Sequence, residues 1–422
     1  MKDSVRTNAR HLPRKDHSPL STATLQSDID EVIPGVIADR RYLHENPELS
    51  FQETQTAAFV AERLVGLGVE DVKTGIGSNG IIGLIRGTGS GPGGDRVVMV
   101  RADMDALPIH EENDHGFASK VPGVMHACGH DAHTSMLLGL TRVLLDRRDT
   151  FAGTVKVLFQ PAEELPPGGA VGMIRDGALE NPHVDAVLGL HVASELPTGT
   201  IGTRAGASSS SGDQFTITIQ GKGGHAARPH HAVDPVVIGS QIVSALQALV
   251  SRETDPIASG VVSVTAFLAG EAFNVIPDSA ELRGTVRTLD PAVRDHLERR
   301  LHEVATGIGE AMGAKVEVDY LRGYPSVIND PKMVELVREA AISAVGEDLF
   351  QELPPMMGGE DFSYFALERP GCFFMVGVRN EERGITWPHH HPRFDLDEDG
   401  MAAGIATMAN TVLLYLERGV GA

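Results

Sequence analysis

A chain of 422 residues exceeds one ordinary hydrophobic core, so two or three domains are expected. Its hydrophobic and charged fractions, 41% and 22%, are those of a soluble globular protein, and a net charge of −21 argues against nucleic acid as a partner. No apolar run approaches the roughly 18 residues that a membrane span needs, and two cysteines, Cys128 and Cys372, make no disulfide framework. That usage suits a reduced, cytoplasmic protein.

Residues 1–27 are basic and polar (Arg6, Arg10, Arg14, Lys15), lack the apolar stretch of a signal peptide, and read as a loose tail. Helical periodicity runs from Asp28 to Arg41, and Pro47 bounds it. A second amphipathic helix is predicted at Thr54–Gly66, stopped by Gly66 and Gly68. Strands follow at Ile81–Arg86, Val97–Val100, Thr154–Gln160 and Ala186–His191, alternating with helices at Met136–Leu145 and Ala170–Asp176. This alternation predicts an α/β fold, a mostly parallel sheet flanked by helices.

Ala207–Gly212, with its four serines, reads as a linker. Beyond it the order is strand (Phe215–Ile219), helix (Pro235–Val250), two strands (Val261–Leu268, Glu281–Arg287), helix (Pro291–Ala311) and strand (Val316–Tyr320). That is the order of a ferredoxin-like α+β unit. The first texture then returns, with a helix at Lys332–Val345, a buried strand at Cys372–Val378 and a closing helix at Met401–Leu416. The expected arrangement is a catalytic domain in two parts, 28–206 and 324–422, interrupted by an inserted domain at 207–323.

Chemistry-bearing residues gather where strands end: Asp103 and Asp105, then Glu163 and Glu164, then His191. Ligands of α/β sheets bind outside the carboxyl ends of the strands. The stretch His126-Ala127-Cys128-Gly129-His130-Asp131-Ala132-His133 lies between the first and second of these strand ends. A thiolate and an imidazole two positions apart can ligate one soft or borderline metal, and a thiolate can bridge two. A buried cysteine beside a capping histidine would give the same pattern. Two adjacent carboxylates at Glu163-Glu164 can divide metal binding from proton transfer, although such pairs more often sit in surface loops. His191 alone would more often be a satisfied core histidine. The run His389-His390-His391 could complete a metal set or simply be solvated.

Several motifs fall in order along the chain: His126-Ala127-Cys128-Gly129-His130-Asp131, Gln160-Pro161-Ala162-Glu163-Glu164, Gly189-Leu190-His191, Gly223-Gly224-His225-Ala226-Ala227, Phe273-Asn274-Val275-Ile276-Pro277, Gly359-Glu360-Asp361-Phe362 and His390-His391-Pro392-Arg393-Phe394. They resemble those of the M20 metallopeptidase family, in its amidohydrolase branch of N-acyl-amino-acid, hippurate and auxin-conjugate hydrolases. The resemblance spans about Ile29 to the C terminus.

The resemblance implies a zinc-exopeptidase-like catalytic domain, with the inserted unit serving as lid and dimerisation domain of a homodimer. It implies two divalent cations, zinc or manganese (cobalt or nickel as alternatives), held by Cys128, His130, Glu164, His191 and the histidine two positions before Pro392, His390. Glu163 corresponds to the general base. Asp103 corresponds to an acid that orients a metal ligand, while Arg101 stands where other members carry a metal-binding histidine. His225 corresponds to the lid histidine that stabilises the oxyanion, often across a dimer. Asn274 and Arg287 would bind the substrate's α-carboxylate. The loop at Gly358-Gly359, open to backbone N–H contacts, is expected to line the same pocket. A departure is Leu165-Pro166-Pro167, where a glycine-rich continuation is expected.

The function so implied is hydrolysis of N-acyl amino acids of the hippurate kind, with small-molecule substrates and no nucleic-acid or membrane partner. A dipeptidase or carboxypeptidase of the same family is the alternative within enzymes. A metal-binding scaffold without catalysis is the alternative outside them, and the presence of both Glu163 and Glu164 argues against it.

Overall fold

The computed structural model describes residues 22–420. Of the segment expected as a loose tail, residues 1–21 lie outside the described residues, and 22–27 already belong to a helix. The first part of the chain forms α1 (Thr22–Glu45), α2 (Thr54–Leu67), β1 (Glu70–Ile76), β2 (Gly80–Arg86), β3 (Val97–Asp103), α3 (His130–Asp146), β4 (Thr154–Gln160), α4 (Gly169–Arg175), β5 (Ala186–Pro197) and β6 (Ile201–Thr203). A short strand β7 (Gly206–Ala207) then leads into β8 (Asp213–Gln220), β9 (Gly224–His225), α5 (Pro235–Glu253), β10 (Gly260–Leu268), β11 (Val275–Ile276), β12 (Ser279–Thr288), α6 (Pro291–Ala311) and β13 (Lys315–Leu321). The chain returns through β14 (Ile328–Asn329), α7 (Pro331–Val345), β15 (Phe350–Glu352), α8 (Phe362–Glu368), β16 (Gly371–Arg379) and α9 (Gly400–Arg418).

The large sheet has the order β1-β2-β4-β3-β5-β16-β6-β15. Its centre is parallel, β4 to β3 to β5 to β16, whereas β1, β2 and β6 join antiparallel. Alternate side chains of the same strands feed two cores, as the two-residue period of a strand requires. Val98, Val100, Val155, Val157 and Leu188 pack with α1, α3, α7 and α9. Met99, Leu158, Val187 and Phe373 pack on the other face with Met173 of α4 and Phe362 and Phe365 of α8. Both faces are therefore covered, which explains strands that read as unbroken apolar runs.

The smaller sheet, β10-β12-β8-β13, is antiparallel throughout and has its own core of Phe215, Ile217, Ile219, Ile242, Leu246, Leu282 and Leu301 under α5 and α6. Helices α5, α6 and α7 each start at an Asp-Pro pair, with Asp234, Asp290 and Asp330 accepting backbone N–H groups of the first turn. Asp caps the exposed donors and Pro presets the helical φ, so these starts are the sharpest in the sequence.

Two expectations need correction. The serine run is no free tether: β7 pairs with β14, and Ser209, Ser210 and Ser211 are buried, with Ser211 Oγ 2.8 Å from Thr288 Oγ1 and Ser210 donating from its backbone N–H to Gly358 O. Helix α3 begins at His130, six residues before Met136. Its first turn is polar yet wholly buried, because each polar side chain finds a partner there. That turn belongs to the site.

Candidate metal centre and active site

Gly129 precedes α3 with φ 88°, and a Cβ there would lie 2.5 Å from Val192 Cγ2. Only glycine takes this turn without strain, and the turn delivers Cys128 and His130 on either side of it. The end of β4 turns just as sharply: Ala162 has φ 54°, and its N–H is held by Glu53 Oε1 at 2.8 Å. Glu163 and Glu164 follow. His390 also has a positive φ, 64°, with its N–H on Ala127 O at 2.8 Å. Non-glycine residues in this region cost energy and cluster at functional sites.

These turns bring the five ligand-type side chains together. Donor atoms of Cys128, His130 and His191 lie within 4.8 Å of one another, and so do those of Cys128, Glu164 and His390. Cys128 belongs to both groups. Its Sγ is 3.4 Å from His191 Nε2, and His390 Nε2 is 3.2 Å from Glu164 Oε1. His191 Nδ1 donates to Val192 O at 2.6 Å, which fixes its tautomer and leaves Nε2 facing the thiol. His391 points elsewhere, stacked on Trp387 with ring centres 4.2 Å apart. His389 is also at the site, its ring 5.2 Å from His191 and its Nδ1 3.0 Å from Ser194 Oγ.

The group that meets His130 Nδ1 is Asp105 (3.3 Å), whose two oxygens also accept the N–H groups of Glu163 and Glu164, each at 3.0 Å. In the sequence Asp105 stands just past the strand end, with nothing in the pattern to mark this role. Asp103, expected to orient a ligand, holds His133 Nδ1 at 2.6 Å and Arg101 at 2.6 Å, and lies 3.7 Å from His130 Nε2. His133 in turn accepts the Val192 N–H, so Asp103 braces the strand carrying His191. Fully buried Arg101 also donates to Gln160, Glu360 and Asp361. Alternating in-and-out geometry puts Asp103 and Asp105 near the same site, and spacing alone does not show which one reaches which histidine.

The electrostatics call for cations. The fully buried Arg101 faces the carboxyl groups of Glu360, Asp103 and Asp361, with Glu163 also acting on it, while Asp105 and Glu164 add further acidic groups to the site. Burial together with the charges of Glu164 and Glu163 pushes the Cys128 thiol well above its ordinary range. Burial and Glu360 push Glu163 up well beyond the usual carboxylate value. Although burial lowers it, His130 is raised to about 10 by Asp103 and Asp105. His191 is held far below its usual value by burial and the neighbouring histidines. His130 Nε2 and Glu164 Oε1 are buried without a hydrogen bond. Divalent ions would satisfy these atoms and displace the protons, so the donor set fits two of them.

A cavity of about 610 Å³ opens onto this cluster, lined by Cys128, Glu163, Glu164, His191 and His390. Strand β12 of the smaller sheet contributes Arg287, and the loop after β15 contributes Gly359. Pro166, from the departing Leu-Pro-Pro segment, is in the wall as well. His225 and Asn274 do not line it. His225 is exposed on β9, paired with Val275, and Asn274 lies beside the fully exposed Phe273.

The family model for peptidase family M20/M25/M40 matches residues 99–414. The chain belongs to that family. Among curated relatives, N-acetylcysteine deacetylase of Bacillus subtilis is 41% identical over 90% of this chain and 96% of its own length. Thermostable carboxypeptidase 2 of Saccharolobus solfataricus is 41% identical over 90% and 95%. Among solved structures, a dinuclear metal-binding peptidase of the M20 family from Bacillus subtilis is 36% identical, with a TM-score of 0.78 over 92% of this chain and 99% of that one. This M20 chain is a metal-dependent amidohydrolase with an α/β fold. No helix among the described residues is long and apolar enough to cross a membrane.

Proposed function

We propose that this M20 amidohydrolase cleaves N-acyl amino acids of the hippurate kind, releasing a carboxylic acid and a free amino acid. The observation that carries this reading is the composition of the cavity: a cluster of Cys, His and Glu donors beside Glu163, with a lone guanidinium, Arg287, available for an α-carboxylate. Met356, Met357, Phe373 and Met375 supply an apolar wall suited to an acyl group.

When bound, two divalent ions acidify water and polarise the scissile carbonyl. Cys128, His130, Glu164, His191 and His390 would hold them, with zinc favoured by the thiolate and imidazoles and manganese, cobalt or nickel as alternatives. Glu163 takes a proton from the attacking water as oxygen bonds to the carbonyl carbon. It then returns that proton to nitrogen as the C–N bond breaks, so acid and amine leave with atoms balanced. Its backbone is pinned from two sides, with the N–H on Asp105 and the carbonyl oxygen accepting Tyr324 Oη–H at 2.6 Å. In this reading a homodimer would bring His225 of a second copy to the oxyanion.

A carboxypeptidase reading shares the amide and the α-carboxylate and is supported by the carboxypeptidase relative. The test is a rate comparison of benzoyl-glycine with a dipeptide, on metal-stripped protein reloaded with each divalent ion in turn. Faster turnover of benzoyl-glycine supports the acyl-amino-acid reading; preference for the dipeptide with its free amine contradicts it.

A further inference from the structure

On the far side of the first turn of α3 lies a second cluster of metal-type side chains, none of which lines the catalytic cavity. His44, at the end of α1, presents Nε2 to Glu111 Oε1 at 3.2 Å. His115, from the loop between β3 and α3, places Nε2 3.3 Å from the same oxygen. Neither nitrogen of His115 makes a hydrogen bond, and its approach to Glu111 is at ion-pair distance only. Donor atoms of the three residues lie within 4.8 Å of one another.

We propose that His44, Glu111 and His115 form a binding site for one divalent transition metal, zinc by donor chemistry, separate from the catalytic centre. Ligand atoms about 2.0–2.1 Å from a tetrahedral ion stand roughly 3.3–3.4 Å from each other. Two of the three ligand separations, 3.2 and 3.3 Å, have that spacing, and the third lies within 4.8 Å. His44 is prepared for the role: its Nδ1 meets Asp131 Oδ2 at 2.8 Å, leaving Nε2 as the donor, as in carboxylate–histidine–metal arrangements. Glu111 Oε2 accepts the Ser119 N–H at 2.6 Å, and Oε1, the oxygen both histidines approach, also accepts Asn113 Nδ2 at 3.1 Å. The His115 ring is held by stacking on Phe117, with centres 3.9 Å apart. His126, wholly buried and with neither nitrogen hydrogen bonded, stands 6.4 Å from the His44 ring as a further donor of the right type.

The local charge favours a cation. Arg40 lies close by and counts against one, but it is committed to Asp131, Asp395 and Glu398, and Arg41 is committed to Glu398. With Glu111 included, four carboxylates face two guanidiniums. A bound ion would tie the end of α1 to the loop before α3, two segments far apart in sequence, and so act on stability.

The test uses the full chain, stripped with chelator, reloaded with excess zinc, desalted and assayed for zinc per chain by mass spectrometry. The His115→Ala variant is expected to hold about one zinc fewer than the wild type, since one of three ligands is removed. The Cys128→Ser variant is expected to keep the ion that H115A loses, and zinc is expected to raise its Tm. In the C128S/H115A double variant that rise should be smaller. His115 is only partly buried, so its removal leaves the core intact. Equal zinc content in wild type and H115A, or an equal Tm response in C128S and the double variant, would overturn the proposal whatever the state of the catalytic centre.

Discussion

Asp105 Oδ1 accepts the backbone N–H of Glu163 at 3.0 Å while standing 3.3 Å from Nδ1 of His130. One carboxylate thus sets the proposed base and a proposed metal ligand relative to each other, from a strand end that neither occupies. Groups that orient ligands in this way typically cost 10–100-fold in metal affinity or activity when removed. Asp105→Ala is therefore expected to lower kcat by about 10–100-fold and to release metal faster during dialysis against chelator. Wild-type retention and turnover in that variant would show that the histidine and the base are held by other contacts.

Arg287 is the cavity's contribution from β12. If it binds the substrate's α-carboxylate, loss of that charged hydrogen bond, about 1.5–3 kcal/mol, should raise KM by roughly 10–100-fold. Arg287→Ala should leave kcat near its wild-type value and lose the preference for acids over the corresponding amides. An unchanged KM would remove Arg287 from the binding role.

Asp213 stands at the start of β8 in the smaller sheet. It is fully buried and accepts from Arg294, from Tyr320 Oη at 2.8 Å and from the Gly323 N–H at 3.0 Å. Removing one member of such a pair strands the other charge and costs about 3–5 kcal/mol. Asp213→Ala should lower the urea midpoint followed by far-ultraviolet circular dichroism. A midpoint within error of the wild type would mean that Arg294 finds water or another acceptor.

Glu360 sets a pH dependence of stability. Burial pushes its carboxyl up to about 8, with Arg101 pulling the other way and Asp361 adding to the rise. The folded state then keeps a proton that the unfolded chain gives up above its ordinary value of 4.5. Stability contributed by this group is present below that value and is lost as pH climbs towards 8. Glu360→Gln should flatten the decline of Tm over that interval. An identical decline in both proteins would assign it to another group.

The fold was legible wherever burial was uniform or capping was strong. Strands such as Thr154–Gln160 read directly because both faces of the sheet are covered, and α5, α6 and α7 read from their apolar periodicity, with the Asp-Pro caps of the structure sharpening where each begins. Strand β1 was missed because it is an edge strand, largely exposed and broken by register shifts, so neither an apolar run nor a clean alternation marks it. The first turn of α3 was missed for the opposite reason. Its residues, His130 to Ser135, are buried, but their polarity hides the helix, and their partners (Asp103 for His133, Arg40 and His44 for Asp131) come from distant segments. Within the site, residue types and strand ends pointed to Cys128, Glu163, Glu164 and His191. The division of labour between Asp103 and Asp105 depends on side-chain direction at the end of β3, which a one-dimensional pattern does not carry.

The measurement that bears most directly on the mechanism is turnover and metal content of Glu163→Ala side by side with the wild type. General base catalysis of this kind is worth about 10²–10⁴-fold. With Glu163 as the base, kcat should fall by that order while the bound metal per chain stays the same. Full activity in the variant would contradict the assignment.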